Sequence, residues 1–404
     1  MDRTAKESQV PDLRDLYDEY ARGGEVPEQF SYWSSNTAFG TYFGRRCKFS
    51  LRYHLWPSMY MCLVAPSATA RKSTAAEDAT EILELAIDGE EDVDETVPLL
   101  IYEPTRAAML ATMGKATEEY GTTPPLLLYN DEARNIFADP AFVGLLDSLY
   151  TRRRYKRETK GNGVDDLIDQ AVSILTCTTP TWLGSAMDQY GFGEGTMGRF
   201  LFVYAEDRTC KIAWPFQSDE REKLKMRIVE EVRKLRTLAG NISIEKSAQN
   251  KFQVWYENYS PQDHAVRVSG WEARMHTHVL KTASTTAMLR RQELHVRLSD
   301  LEEAFERVTA VEKSLWAVHR NVLIDGEIRE IKVIETAVRD AGPGGIKHSP
   351  LRNKVVRKVG GKLFDETIQH LTAANTIHEI PIEGSGRPGR KYIHADFING
   401  KEKP

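Results

Sequence analysis

The sequence predicts an α/β fold in which a mostly parallel sheet carries helices on both faces. Two observations predict it. Short apolar runs alternate with stretches of helical periodicity between residues 46 and 215: Tyr60–Val64, Val97–Tyr102, Leu126–Tyr129, Val172–Cys177 and Phe200–Tyr204. The first four runs end at polar residues just past their C-terminal ends, the place where open parallel sheets hold ligands.

The elements follow in order. Residues 1–45 read as a helical N-terminal cap, because Leu13, Leu16, Tyr17 and Tyr20 share one helical face and Phe30 to Phe43 is rich in aromatics. Trp33 in that stretch is expected to pack in the core. Residues 46–215 form the α/β core. Residues 216–326 read as a helical lid or packing domain. There Leu224, Ile228, Val232 and Leu235 make one stripe, and Ser299-Asp-Leu-Glu302 reads as a capping box leading into Leu301, Phe305, Val308 and Val311. Arg274 in this segment is expected to form a salt bridge, with reach to a neighbouring nucleotide as the alternative.

Residues 327–404 carry their own pattern. Ile331 to Val338 is an amphipathic helix stopped by Gly342-Pro-Gly-Gly345, and Ser349-Pro350 is a helix start with Ser as N-cap. A third helix, Lys362 to Ala374, turns Leu363, Ile368 and Leu371 inward. Thr376–Ile382 and Lys391–His394 then read as a two-stranded wing with a basic tip. Three helices and such a hairpin resemble a winged helix-turn-helix, which lays a helix in the major groove and a wing on phosphate. Arg352, Lys354, Arg357, Lys358 and Lys362 on the helical part, and Arg387, Arg390 and Lys391 on the wing, are the cations expected at duplex DNA. A winged helix used for protein contact is the alternative.

Composition agrees with a globular chain of 404 residues, 41 % apolar and 28 % charged. No apolar run reaches the ~18 residues of a membrane span, and the first residues lack the apolar core of a signal peptide, so a cytoplasmic protein without membrane contact is expected. Cys47, Cys62, Cys177 and Cys210 have no metal or disulfide spacing and read as reduced thiols. His276 and His278 form no ligand set. The net charge of −5 argues against indiscriminate nucleic-acid binding. Its distribution is uneven: residues 77–95 are strongly acidic, whereas Thr151–Lys160 carries Arg152, Arg153, Arg154, Lys156, Arg157 and Lys160 around Tyr155. That basic segment reads as a mobile loop for single-stranded nucleic acid, with a basic subunit contact as the alternative.

Chemistry concentrates after the apolar runs. Leu63-Val-Ala-Pro-Ser-Ala-Thr-Ala-Arg-Lys-Ser-Thr74 has the strand, tight loop, Lys-Ser/Thr and helix of a phosphate-binding loop. Ser67, Ala68, Thr69, Ala70 and Arg71 supply backbone N–H groups, Lys72 meets the β- and γ-phosphates, Ser73 holds Mg²⁺ and Thr74 follows. Pro66 and Arg71 occupy the two glycine positions of the consensus, which costs backbone freedom. Asp131 and Glu132 end the third apolar run: the first carboxylate suits Mg²⁺ and the second suits a general base for the attacking water. Glu103, after the second run, is the rival base. Thr178 and Thr179 suit a γ-phosphate sensor or a helix cap. Gly191 to Gly198 is a glycine-rich segment that delivers Arg199, a side chain able to neutralise a transferring phosphoryl group from a neighbouring subunit.

The order Ala-Pro-Ser…Arg-Lys-Ser-Thr, Tyr-Glu-Pro-Thr, Leu-Leu-Leu-Tyr-Asn-Asp-Glu, Leu-Thr-Cys-Thr-Thr-Pro and Gly-Arg-Phe-Leu-Phe-Val-Tyr resembles the P-loop ATPases of phage and mobile-element replication, a primase–helicase-like family. The resemblance spans roughly residues 10–320 and lies in motif order. It implies a RecA/AAA-like core and a replicative helicase or translocase that binds ATP and Mg²⁺. It further implies a homo-oligomeric ring, taken here as hexameric, with single-stranded DNA in its channel and replication proteins as partners. An origin initiator or helicase loader, and a degenerate P-loop scaffold, are the competing readings.

Overall fold

The computed structural model describes residues 11–151, 153–159, 163–184, 194–214, 218–259, 269–355, 361–382 and 389–398. Arg152, Lys160, Arg357, Lys358 and Arg387 lie outside the described residues, and Lys362 lies outside those whose side chains are described. Two compact units divide the chain, residues 1–318 and 319–404.

In the first unit, α1 (Leu13–Ala21) starts at Asp12, whose carboxylate accepts from the N–H groups of Arg14 and Asp15. α2 (Glu28–Gly40) is buried along nearly its whole length and packs on the sheet and on α3 (Lys72–Asp88). Trp33 is 1 % exposed and meets Tyr32 edge-on, a core position as expected.

Five parallel strands form the main sheet: β3 (Tyr60–Val64), β4 (Leu99–Tyr102), β5 (Leu126–Asn130), β8 (Val172–Thr178) and β9 (Phe200–Tyr204). Their spatial order is β4-β5-β8-β3-β9. Residues of β3, β5 and β8 are buried throughout, as strands covered on both faces require. The chain leaves β3 through α3 for the far edge at β4, then returns strand by strand. It passes α4 (Arg106–Tyr120), α5 (Ala133–Phe137) and α6 (Pro140–Thr151) on the way, until β8 lies beside β3. It then crosses to β9 on the other side of β3. The connections thus reverse direction at β3, and the crevice beyond its C-terminal end is the topological switch point.

The remaining strands of this unit are short. β1 (Cys47–Ser50) pairs with β2 (His54–Leu55) and with β10 (Gly240–Asn241). β11 (Ser243–Ile244) pairs with β12 (His295–Val296).

The basic segment after residue 151 is not a loop. Arg154–Thr159 is strand β6, paired antiparallel with β7 (Gly163–Ile168). The reason lies in the partner strand: Lys156 stands opposite Asp166, and Arg154 bonds Asp166 at 2.8 Å. Opposite charges across a ladder stabilise a strand that its own like charges would leave open.

The acidic run has a similar explanation. Asp78 and Glu81 on α3 pair with Arg221 and Lys225 of the helix Asp219–Lys234, and Glu90 and Asp94 beyond α3 pair with Arg236. Arg233 donates to the carbonyls of Leu85 and Ala86 in the last turn of α3. The helix Asp219–Lys234 is capped by Ser218 and carries acids in its first turn and bases in its last, matching its dipole.

The capping box at Ser299 does not form. The helix runs Leu298–Arg339, so Ser299 already lies inside it. Asp300 accepts instead from the Arg297 N–H, and Glu245 accepts from the Leu298 N–H. Asp300 is fully buried and pairs with both Arg290 and Arg291, which holds it in that capping position. The segment Ile331–Val338, expected as a separate helix, is the end of this same 42-residue helix.

In the second unit, the helices His348–Val355 and Gly361–Ala373 pack against a three-stranded antiparallel sheet whose last strand in sequence lies at its centre. Its strands are β13 (Ile346–Lys347), β14 (Ile377–Ile382) and β15 (Gly389–His394). Ile334, Val338, Leu351, Val355, Phe364, Ile368, Ile377 and Tyr392 form its core. The first of these helices begins at His348, one residue ahead of the expected Ser349 cap. Arg352 and Lys354 are exposed on it. Arg390 pairs with Glu379 at 3.6 Å, and Lys391 donates to the Gly344 carbonyl.

Candidate functional site

The loop after β3 occupies the switch point. Its ends are fixed by backbone bonds: Ala65 N–H donates to the Thr178 carbonyl of β8, and Ala75 N–H to the Arg71 carbonyl. Two residues between them adopt the left-handed region, Ala68 at φ 60° and Arg71 at φ 52°. Arg71 stands where the consensus has its second glycine and adopts the conformation for which glycine is favoured there. A non-glycine residue in this region costs roughly 1–2 kcal/mol, and the cost is met by contacts from outside the loop. The Arg71 guanidinium donates to Glu25 at 2.6 Å. Glu25 also accepts from the Ile212 N–H at 2.7 Å and from Arg208 at 3.3 Å. These donors, the Ile212 N–H first and then Arg71, hold the Glu25 carboxyl well below its ordinary range, at about 2. Thr69 is tied as well, its hydroxyl lying 2.9 Å from the Glu206 carbonyl beyond β9.

Lys72, Ser73 and Thr74 open α3, so the N-terminal end of a long helix faces the crevice. Lys72 is half-buried and forms no ion pair among the described residues. Its ammonium acts on the buried Cys62 and Cys177 thiols, which lie one register step apart on the adjacent strands β3 and β8 and are both pushed up by burial. Ser67 and Ala68 are exposed at the loop tip, whereas Ala70 is buried beneath it.

Asp131 and Glu132 follow β5, two strands from β3. Asn130, 1 % exposed, accepts from the Glu132 N–H at 2.9 Å and fixes the turn that carries both carboxylates. The Asp131 Oδ1 atom is shielded from solvent and has no hydrogen-bond partner among the described residues. A buried acceptor without a donor calls for one, and a hydrated divalent cation supplies it. Magnesium keeps several waters and takes one or two carboxylates together with phosphate oxygens. Among the described residues no group of three His, Cys, Asp or Glu side chains is arranged to hold a metal without such help. Ser73 and Asp131, with phosphate oxygens, are the groups that would hold such an ion. Glu77 lies one helical turn after Ser73. Desolvation and then the Asp131 charge hold its carboxyl above the ordinary range, which brings a third carboxylate to the same crevice.

The other expected residues are placed as follows. Glu132 is exposed at the start of α5. Glu103 is exposed after β4 with a left-handed backbone, φ 44°, and β4 is the edge strand three positions from β3. With strands ~4.8 Å apart, Glu132 stands about 10 Å and Glu103 about 14 Å along the sheet from the end of β3. Thr178 is buried as the last residue of β8. The Thr179 hydroxyl accepts from the Trp182 N–H at 3.3 Å, the helix-cap alternative.

Arg199 lies elsewhere. It precedes β9, level with the start of β3, so a five-residue strand of roughly 16 Å separates it from the loop of its own chain. There it pairs with Asp147 at 3.4 Å. Arg274 does not form the expected salt bridge among the described residues. It donates to the Gly270 carbonyl of its own turn, and burial followed by the Arg199 charge depresses its pKa. Lys281 joins this group. It is buried, donates to the Ser58 carbonyl at 2.6 Å and lies 4.0 Å from the Tyr150 ring centre. His278 is buried against Trp271 and bonded to the Gly198 carbonyl, and burial lowers its pKa to about 3.

On the β6–β7 hairpin, Arg153 pairs with Asp169 at 3.0 Å and Arg154 with Asp166, while Lys156 and Arg157 are exposed. Sequence reasoning missed Glu25, Glu77 and the Arg274–Lys281 group. Only Glu77 carried a local signal, its spacing of four residues from Ser73 on one helical face.

No protein-family model matches the chain, and no curated protein matches it. Fold and site together define its class: an α/β protein with a five-stranded all-parallel sheet, compatible with a Rossmann- or RecA-like core. Among the described residues no helix is long and apolar enough to cross a membrane.

Proposed function

We propose that this chain is an ATP hydrolase that moves on DNA, a helicase or translocase of a phage or mobile-element replication module. One observation carries the proposal. Lys72 and Ser73 at a helix N-terminus, and a buried oxygen of Asp131 without a hydrogen-bond partner among the described residues, flank the same crevice at the switch point of a parallel sheet. In this reading Lys72 and the loop N–H groups bind the phosphates, and Ser73 and Asp131 hold Mg²⁺, which neutralises phosphate charge when bound. Glu132 takes the proton of the attacking water. The position of Arg199 at the opposite sheet edge supports service to a neighbouring copy in a hexameric ring, since it does not reach its own loop. The hairpin cations then follow single-stranded DNA, and the second unit takes duplex DNA or a replication partner.

A second reading, a nucleotide-holding scaffold without turnover, is favoured by Pro66 and Arg71 at the glycine positions and by the Glu25 tie on Arg71. ATP turnover of the full chain, with and without single-stranded DNA and alongside Lys72→Ala, separates the two. DNA-stimulated turnover that Lys72→Ala abolishes supports the motor. Tight ATP binding with no turnover, at an unchanged assembly state, supports the scaffold. Stimulation by duplex alone supports a loader or initiator.

A further inference from the structure

At the edge of the sheet opposite the nucleotide loop lies a half-open cavity of about 240 Å³. Arg45, Lys48, His54, Trp56, Thr122 and Arg153 are among its lining residues. It lies at the root of the basic hairpin. Asp169 N–H donates to the Arg153 carbonyl at 2.6 Å, and the Arg153 side chain pairs with Asp169 at 3.0 Å, which closes the hairpin base on the cavity wall. Thr123 bonds the Ile168 N–H from the strand entrance of β5. The cavity therefore lies among the turns and strand ends at this side of the sheet, with Lys48 and His54 reaching it from strands.

Its charge is unbalanced. Arg45, Arg46, Lys48 and Arg153 face Glu95 and Asp169, and Arg153 already takes Asp169. The Arg45 guanidinium carbon lies 3.8 Å from the centre of the Trp56 ring and its Nε donates to the Gln170 carbonyl, so its cation is held in one place at little further entropic cost on binding. Burial lowers its pKa to about 10, which is still charged at neutral pH. Lys48 makes no ion pair among the described residues. Between β1 and β2, beside the cavity, Leu51, Arg52 and Tyr53 are exposed, Tyr53 by 52 %.

We propose that this cavity is a phosphodiester site for single-stranded DNA. Arg45 and Lys48 would contact one backbone phosphate, the exposed Tyr53 would stack on an adjacent base, and the hairpin cations would continue the path. The proposal rests on the DNA-motor reading and adds a defined site to it.

The test uses the full chain and a fluorescein-labelled oligothymidylate of twenty residues, read by anisotropy across salt concentrations. Oligothymidylate carrying 4-thiothymidine is crosslinked to the unmodified protein in parallel. Expected are crosslinks in the peptide holding Tyr53 and Trp56, and a loss of about three- to tenfold in affinity for Lys48→Gln, with the salt slope smaller by about one. Wild-type binding with crosslinks elsewhere and an unchanged Lys48→Gln overturns the site and leaves the DNA reading standing. Failure of the wild-type protein to bind the oligonucleotide at low salt overturns both.

Discussion

Glu25 grips the guanidinium of Arg71 at 2.6 Å, and Arg71 is the residue of the phosphate-loop candidate that holds a left-handed backbone in place of glycine. The two facts belong together. A glycine adopts φ near +52° without help, whereas an arginine there needs an external hold. Glu25 supplies it from the segment between α1 and α2, and the Ile212 N–H and Arg208 fix Glu25 in turn.

Glu25→Gln is therefore expected to weaken ATP binding by roughly three- to tenfold, as a charge-assisted bond is lost. Arg71→Gly should bind within about threefold of wild type, because the glycine needs no hold, and Arg71→Val should lose more than tenfold. The double variant Glu25→Gln/Arg71→Gly should be no worse than Arg71→Gly alone. Calorimetric ATP titration of the four proteins checks this, and additive losses in the double variant would sink it. The pH dependence follows from the same residue. The Glu25 carboxyl titrates near 2 when folded against an ordinary 4.5, so the unfolded chain binds the extra proton between those values. Its stabilisation is complete above about pH 4.5 and is lost as pH falls toward 2. Glu25→Gln should flatten part of the acid limb of the stability curve in that window.

The sequence makes the sheet legible because its strands are apolar runs of four to seven residues, the three central ones, β3, β5 and β8, buried throughout. The strand order was not legible, since nothing local in Leu99–Tyr102 says that it lies three strands from Tyr60–Val64. The β6–β7 hairpin was misread for a related reason. Arg154 to Thr159 looks like a solvated charge run until Asp166 is set opposite Lys156, and that pairing is a tertiary fact. At the site, Lys72, Ser73 and Asp131 were readable as a motif. Glu25, forty-six residues from Arg71, was not. The capping box at Ser299 failed because Asp300 had stronger partners in Arg290 and Arg291, and a buried ion pair outranks a hydroxyl cap.

Lys281 offers a second pH test at the opposite edge of the sheet. Burial first, then the Arg45 and Arg199 charges, lower its pKa from 10.5 to about 7. Between those values the unfolded chain binds the extra proton, so stability rises with pH across that window. One proton changes the unfolding constant by at most about tenfold per pH unit. Lys281→Met, close in volume and uncharged, should remove this rise. Urea unfolding of both proteins at pH 7 and pH 9 measures it. A wild-type-minus-variant difference that stays constant over that range would mean the amine keeps its charge against the Tyr150 ring.

The division of labour among the carboxylates is the sharpest consequence of the strand order. Asp131 and Glu132 leave β5 on a turn fixed by Asn130, whereas Glu103 leaves the edge strand β4 about 14 Å from the end of β3. A general base must come within hydrogen-bond reach of the water it activates, directly or through one more water. Glu132 meets that condition with the smaller movement. Glu132→Gln should therefore lower ATP turnover by about 10² to 10⁴ while leaving ATP affinity nearly unchanged. Glu103→Gln should stay within about threefold of wild type, its left-handed backbone being a feature of the strand end. Asp131→Asn should act differently again. It keeps the shape but removes the charge aimed into the crevice, so the Mg²⁺ concentration for half-maximal turnover should rise by tenfold or more. Steady-state turnover against Mg²⁺, with nucleotide binding measured separately for each variant, distinguishes these outcomes. A large loss in Glu103→Gln with Glu132→Gln near wild type would move the base to β4 and require that edge strand to shift toward the loop when nucleotide binds.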